Sequence, residues 1–228
     1  MKDHLKRNFV PKNWPIKRKA ARFLIRPKPS GHPMESGLPL AVILRDVLGH
    51  VQTLREVKKV LHDNDVLVDS KRRKDPKFLV GLFDVLSLPV VKEDYRLLFD
   101  KKGKLSLLAI DEKEAKIKVA KVIGKRALKK GKVQLNLHDG KNILSDDKIK
   151  VGDSVVLSLP DNKIQQVLPL KEKAQVYLVK GKRAGSSGVL KEISGNKAIY
   201  ESGKEKIETL KDYIMVVGED KPIIKLEK

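Results

Sequence analysis

The sequence predicts an α+β, β-rich protein built from small modules behind a basic N-terminal arm. Three patterns carry that expectation. Helical spacing of apolar residues is confined to residues 38–64. From residue 66 onward, short apolar or alternating runs recur between turns rich in Gly and Asp. Residues 1–37 hold Pro11, Pro15, Pro27, Pro29 and Pro33, which remove amide donors and forbid long helices.

The arm comes first. Of the net charge of +21 on 228 residues, residues 1–33 contribute +9, with ten Lys/Arg against Asp3. Residues 1–37 therefore read as a basic extension with little core of its own, ordering fully only against a partner. Trp14, Phe9 and Phe23 are costly in a mere tail. Trp14 reads as an apolar anchor pinning the arm to a folded domain, and the alternative is stacking on an exposed base.

At Leu38 the punctuation changes. Residues 38–50 are apolar with a helical rhythm that ends near Gly49 and His50. Thr53 then reads as an N-cap and Glu56, three residues on, completes a capping box. Leu54, Val57, Val60 and Leu61 form the buried stripe of that helix, with Arg55, Lys58, Lys59 and His62 on other faces, and Asn64 and Asp65 end it. Residues 66–69 read as a strand entering a very basic turn over residues 70–76. Residues 80–88, 95–99 and 105–110 supply further strands, the last two as a hairpin, and Asp111 caps a short helix through Glu112, Glu114 and Ala115. Ile117, Val119, Lys121 and Ile123 alternate, as do Val133, Leu135 and Leu137, so residues 111–173 read as a small barrel or curled sheet. Residues 176–179, 189–193, 198–200, 206–210 and 213–217 supply the strands of the last third, around a loop rich in Gly and charge at 180–188. The expected divisions are 1–37, 38–110, 111–173 and 174–228.

Composition excludes several functions. There is no Cys, which removes disulfides, cysteine zinc sites, iron–sulfur clusters and thiol catalysis, and fits a reducing cytosol. No run approaches the roughly 20 apolar residues of a membrane span, and the N-terminus lacks a signal-peptide core. His4, His32, His50, His62 and His138 show no metal-ligand spacing. Asp63, Asp65 and Asp69 lack the Gly and terminal Glu of a calcium loop. Asp146, Asp147 and Asp153 read as solvated turn residues. Ser186 and Ser187 lack a nucleophile-elbow context, and Gly181, Gly185 and Gly188 do not match a phosphate-binding loop. No catalytic constellation emerges, and no cofactor, metal or small-molecule substrate is expected.

Basic clusters point instead to a polyanion. They are Lys17, Arg18 and Lys19 with Arg22; Lys71, Arg72, Arg73 and Lys74; Lys125 and Arg126 with Lys129 and Lys130; and Lys182 with Arg183. Each sits on an arm, a turn or a strand end, where cations can be presented to phosphates in a fixed register. A membrane surface would want a basic amphipathic helix with exposed large apolar residues, and none is evident.

Particular residues carry a family resemblance. His4-Leu5-Lys6-Arg7, Pro11-Lys12-Asn13-Trp14 and Arg18-Lys19 are followed by Leu38-Pro39-Leu40, Ile43-Leu44-Arg45-Asp46, Thr53, Glu56-Val57 and Val68-Asp69. Val80-Gly81-Leu82-Phe83-Asp84-Val85, Tyr95-Arg96, and Asp100 with Gly103 complete the set. The chain resembles the archaeal and eukaryotic small-subunit ribosomal protein family called "S four e", and its short N-terminus looks archaeal. The resemblance implies an S-four-type RNA-binding domain around residues 38–76, with RNA on Arg45, Arg55, Lys58, Lys59 and the basic turn 71–74. It implies a KOW-type, SH3-like β-barrel from residue 174, with Gly188 at the hallmark glycine. It further implies binding to small-subunit ribosomal RNA through these residues together with Lys6, Arg7, Lys12, Trp14 and the clusters above, beside neighbouring ribosomal proteins, in the cytoplasmic ribosome and without catalysis. One departure is Ser70, where family members usually carry Gly. An RNA-modifying enzyme and a polymerase-binding KOW transcription factor are the alternatives. The first would need a catalytic motif, and the second would not need +9 in the arm.

Overall fold

A computed structural model describes residues 4–128, 131–145, 148–203 and 205–227. The chain divides into two compact units, Met1–Leu98 with Lys104–Ala115, and Phe99–Gly103 with Lys116–Lys228.

In the first unit, β1 (Leu5–Lys6) and β2 (Phe23–Leu24) pair with each other, and β3 (Gly37–Pro39) leads into helix α1 (Leu40–Val42). A π turn, Ile43–Val47, extends α1. The helical rhythm of residues 38–50 is thus split. Leu38 lies in β3, and regular helix lasts only until the chain widens at Ile43, because Leu48 N–H returns to the Ile43 carbonyl. Helix α2 (Leu54–Asp63) follows. Thr53 Oγ1 accepts from the Glu56 amide at 3.2 Å and the Glu56 carboxylate accepts from the Thr53 amide at 3.3 Å, so the capping box is complete. The Gln52 amide and Thr53 hold the Glu56 carboxyl below its ordinary range. Val57 and Leu61 are fully buried, each such side chain being worth roughly 1.5–3 kcal/mol. Leu54, expected in the same stripe, is exposed, because at the first helical position it precedes the packed turns.

Strands β4 (Leu67–Val68), β5 (Lys71–Arg72), β6 (Leu79–Gly81), β7 (Val85–Leu88), β8 (Glu93–Phe99) and β9 (Leu105–Ile110) precede helix α3 (Glu112–Ala115). One sheet runs β5-β4-β7-β8-β9, and β3 pairs with β6. The apolar run 80–88 is two strands, broken where Phe83 takes φ 68° and Asp84 Oδ2 accepts from the Gly81 amide at 2.7 Å. A Cβ at Gly81 would stand 2.0 Å from the His32 ring, so only glycine lets His32 reach Asp84 Oδ1, at 3.2 Å. Arg96, fully buried in β8, pairs with the Glu114 carboxylate and donates to the Glu114 carbonyl at 3.0 Å, tying α3 to the sheet.

The second unit holds two antiparallel sheets. β10 (Ile117–Ala127), β11 (Val133–Leu137), β12 (Asn142–Ser145), β13 (Ser154–Ser158) and β14 (Ile164–Leu168) assemble in the order β12-β11-β10-β13-β14. The expected alternation of Ile117, Val119, Lys121 and Ile123 is not seen: residues 118–122 are all buried, Ala120 and Val122 join the core cluster, and a register shift follows between Val122 and Gly124. Before it, Lys118 and Lys121 are buried, and at it Ile123 is 58% exposed. Ala120, Val122, Leu135, Leu137, Val155 and Leu157 form one core with Ile149, and Ile143, Ile164 and Val167 pack on it. All five strands thus curl around a single apolar cluster.

β15 (Gln175–Leu178), β16 (Ser187–Ser194), β17 (Lys197–Ser202), β18 (Glu205–Leu210) and β19 (Ile214–Gly218) form the other sheet, ordered β18-β17-β16-β15-β19. Tyr177 and Tyr200 are fully buried in it. Among the described residues no helix is long and apolar enough to cross a membrane.

Two buried lysines work inside this unit. Lys118 Nζ lies 2.9 Å from Asp139 Oδ2. Lys121 Nζ donates to the carbonyls of Asp212 at 2.9 Å and Ile214 at 2.7 Å, and burial pushes its ammonium down to about 8.

Burial pushes the Asp139 carboxyl up, but Lys118, with His138 and Lys141, overrides this and holds it at about 2, below its ordinary 3.8. A depressed carboxyl contributes stability that is complete above its unfolded value and lost as pH falls through the folded one. The pair therefore contributes about 2 kcal/mol above pH ~4 that vanishes toward pH ~2. Denaturant unfolding between pH 5 and 2 is expected to show that loss, and the double variant Lys118→Met, Asp139→Leu to flatten it. A second expectation concerns Gly188, where a Cβ would stand 2.1 Å from the Glu201 carbonyl oxygen. Gly188→Ala must push β17 away and is expected to cost about 1–3 kcal/mol, read as a lowered thermal midpoint.

Candidate nucleic-acid interface

Helix α2 positions a cationic stripe. Its buried residues are Val57 and Leu61, and Arg55, Lys58, Lys59 and His62 recur at i, i+3, i+4 and i+7, all exposed on the opposite face. The sequence expectation of a basic turn at 71–74 needs correction. The turn is Asp69-Ser70, with φ of 51° and 60°, and Lys71 and Arg72 form edge strand β5, paired with Val68 and Leu67. Two successive positive φ values are the backbone of a two-residue hairpin turn whose twist matches the strands. Strand pairing therefore fixes the register of the cluster.

Its four cations do different things. Arg72 donates to the His62 carbonyl at 2.9 Å and pairs with Asp65 at 3.0 Å, bracing β5 against the C-terminal end of α2, where positive charge is favoured. Arg73 lies 4.3 Å from the centre of the Phe78 ring. Lys71 and Lys74 are exposed. Among the described residues, none of Arg55, Lys58, Lys59, Lys71 and Lys74 has an ion-pair partner. They make an unneutralised ledge on α2 and the sheet edge beside it. Arg45, expected to join them, is half-buried and pairs with Asp46 at 2.7 Å.

The arm carries more internal structure than its composition suggests. Arg7 is 6% exposed and donates to the Ala21 carbonyl at 3.0 Å and the Lys17 carbonyl at 2.9 Å. Arg18 reaches back to the carbonyls of Asn8, Val10 and Pro11, each at 3.3 Å. Two guanidinium forks thus stitch the limbs of the arm, supplying donors that its prolines lack. Trp14 is 3% exposed and donates to the Met34 carbonyl at 3.1 Å, while the Asn13 carbonyl accepts from Leu105 at 2.8 Å. The anchoring use of Trp14 is the one seen. Arg7 and Trp14, counted among the RNA contacts, are inside, so they position the arm instead of facing solvent. Lys6, Lys12, Lys17, Lys19 and Arg22 are exposed.

The remaining clusters lie on unit two. Lys125 and Arg126 are exposed near the end of β10, with Lys125 Nζ on the Ile149 carbonyl. Lys129 and Lys130 lie outside the described residues, as do Asp146 and Asp147. Lys182 is exposed, and Arg183 pairs with Glu205 at 2.6 Å, which raises its affinity for the proton. Sequence reasoning passed over Phe9 and Phe23, respectively 75% and 47% exposed, as contact residues. Arg22 sits 5.4 Å from the centre of the Phe23 ring and His4 packs beside it. Aromatics interleaved with cations were the available signal.

Residues 1–35 match the RS4NT (NUC023) domain, and residues 91–164 match ribosomal family S4e. The small ribosomal subunit protein eS4 of Methanothermobacter thermautotrophicus is 41% identical over 98% of this chain and 95% of its own length. The chain belongs to the S4e family. The S4e relative from Nanoarchaeum equitans is 43% identical over 85% of this chain and 83% of its own. The crystal structure of the 30S ribosomal protein S4e from Thermoplasma acidophilum superposes with a TM-score of 0.71 at 30% identity, covering 81% of this chain and 96% of that one. The β-rich fold is therefore an S4e fold. Within it, Ser70 holds a left-handed backbone that glycine adopts at no steric cost. Ser70→Gly is expected to raise stability by about 0.5–1 kcal/mol in denaturant melts, without moving β5.

Proposed function

We propose that the chain is a structural, non-enzymatic constituent of the small ribosomal subunit, binding small-subunit rRNA and supporting its assembly. The observation that carries this reading is the unneutralised ledge of Arg55, Lys58, Lys59, Lys71 and Lys74, held on a capped helix and a paired strand, in a member of the S4e family. Cations on a rigid support lose little on binding beyond their own side-chain freedom, and they displace counterions from phosphates.

The contact set is Lys6, Lys12, Lys17, Lys19 and Arg22 of the arm, the ledge, Lys125 and Arg126 with Lys129 and Lys130, and Lys182 with Arg183. Arg7, Trp14, Arg18, Arg45, Arg72 and Arg73 act mainly by holding those groups in register. The divisions 1–37, 38–110, 111–173 and 174–228 correspond in this reading to arm, S-four-type domain, central β domain and KOW-type barrel. The close approach of Glu201 to Gly188 supports the last. Neighbouring small-subunit proteins are the further partners, and the place of action is the cytoplasmic ribosome.

Because Arg72 and Arg73 also hold the fold, the test is confined to Lys58, Lys71 and Lys74. Their joint substitution by Gln is expected to leave thermal unfolding within about 0.5 kcal/mol of the parent, as for surface sites generally. It is expected to weaken rRNA binding and to reduce the slope of log affinity against log salt by about 2–3, at roughly 0.7–0.9 per phosphate contact. An unchanged slope with an intact fold would move the RNA surface elsewhere. In sucrose gradients the wild-type protein should travel with the small subunit. Recovery only in the free pool would overturn the ribosomal assignment.

A further inference from the structure

The solvent face of β10, β11 and β12 is built against the rules that govern the rest of the sheet. Cross-strand partners share a face, and two rows lie there: Gly124, Asn136 and Asn142, then Arg126, Gln134 and Leu144. Leu135 and Leu137, between them in sequence, point to the core. Asn and Gly are depleted in strands because they pack poorly and weaken them. Here two Asn and one Gly occupy a single row across three strands.

Neither backbone angle nor space demands glycine at position 124. Gly124 lies outside the left-handed region, and a Cβ on it would meet Asn136 at 3.5 Å, an ordinary contact. Gly124 adjoins the bulge after Val122, and a strand glycine marks either such a bulge or a place where something outside comes close; here it also leaves an open floor beside Asn136.

The chemistry of the face is also distinct. In a chain with 35% charged residues, these six positions hold one charge, Arg126, and no acid. Gln134 Nε2 donates to Asn136 Oδ1 at 3.0 Å, which orients both amides. The N–H donors of Asn136, the carbonyl of Gln134 and the whole amide of Asn142 have no partner among the described residues. Amides both donate and accept, as does a ribose 2′-hydroxyl. The minor groove of an RNA duplex is wide and shallow and displays 2′-hydroxyls and base edges. A flat amide row with a glycine floor is its complement, while Arg126 stands at the rim for a phosphate and Leu144, 56% exposed, offers apolar contact to a sugar. A protein partner would call for an apolar or aromatic centre, and this centre is polar.

We propose that this face is a second mode of RNA contact, docking a duplex minor groove through 2′-hydroxyl and base-edge contacts, with Arg126, already in the contact set, as its one phosphate contact. It rests on the rRNA-binding reading above and adds a mode of contact to it. Gly124→Val fills the floor with a residue that favours strands, and Asn142→Thr removes the edge amide in the same sense. Both are tested in the full chain, by thermal melting and by titration of a small-subunit rRNA transcript across monovalent salt.

Each variant is expected to melt at or above the wild-type temperature and to bind about 5–10-fold more weakly with the salt slope unchanged. Arg126→Gln should lower the slope by about 0.7–0.9. Failure of the wild-type chain to bind the transcript would overturn rRNA binding itself, and this site with it. Wild-type binding matched by both variants would overturn this site alone. Unchanged affinity with loss of the variants from small-subunit particles would assign the face to a neighbouring protein and equally overturn it.

Discussion

A cation removed from water must be met by carboxylate or carbonyl oxygen, and the architecture of this chain depends on how that requirement is met. An unpaired buried charge costs several kcal/mol. The chain has 50 Lys/Arg, and not all of them stay outside. Arg7, Arg96, Lys118 and Lys121 go inside, and each is met where two segments join. Arg7 joins the limbs of the arm through carbonyls. Arg96 joins β8 to α3. Lys118 joins β10 to the turn at Asp139, and Lys121 joins β10 to the chain entering β19. Cations thus serve as fasteners where a less basic protein would use apolar contacts.

The same division sorts the surface. Arg72 and Arg18 spend their forks on backbone carbonyls, while Lys58, Lys71 and Lys74 remain exposed. The guanidinium suits the first task because its donors are fixed in a plane, and the ammonium suits the second because its charge is compact and its stem flexible. The cluster at residues 71–74 therefore combines structural arginines with exposed lysines, and a cluster counted as one unit in sequence is two kinds of group in space.

Much of the fold was legible because its signals are local. Thr53 and Glu56 announce α2, and the alternation of Val133, Leu135 and Leu137 announces β11. The family resemblance was legible from motifs spread over nearly the whole chain. Less legible were features set by partners distant in sequence. Nothing in the sequence around Lys118 announces its burial against Asp139, and Arg7 reads as a phosphate contact until Lys17 and Ala21 close on it. The bulge at Val122 and Gly124 changes which residues face the core, and no local spacing reports it. Among the candidate contacts, charge marks the clusters in sequence, but Trp14 and Arg7 inside, with Phe9 and Phe23 outside, follow from the way the arm folds back.

The attachments of the arm set an order of events during synthesis. Asn13 waits for Leu105, His32 for Asp84 and the Lys28 amide for the Lys77 carbonyl. At about 5–20 residues per second, residue 105 is made roughly 5–18 s after residue 13. Among these segments, the first to leave the translating ribosome is the last to be fixed. For those seconds the strongly cationic arm lacks its tie to β9, so its attachment is a late event that the growing chain itself cannot hasten.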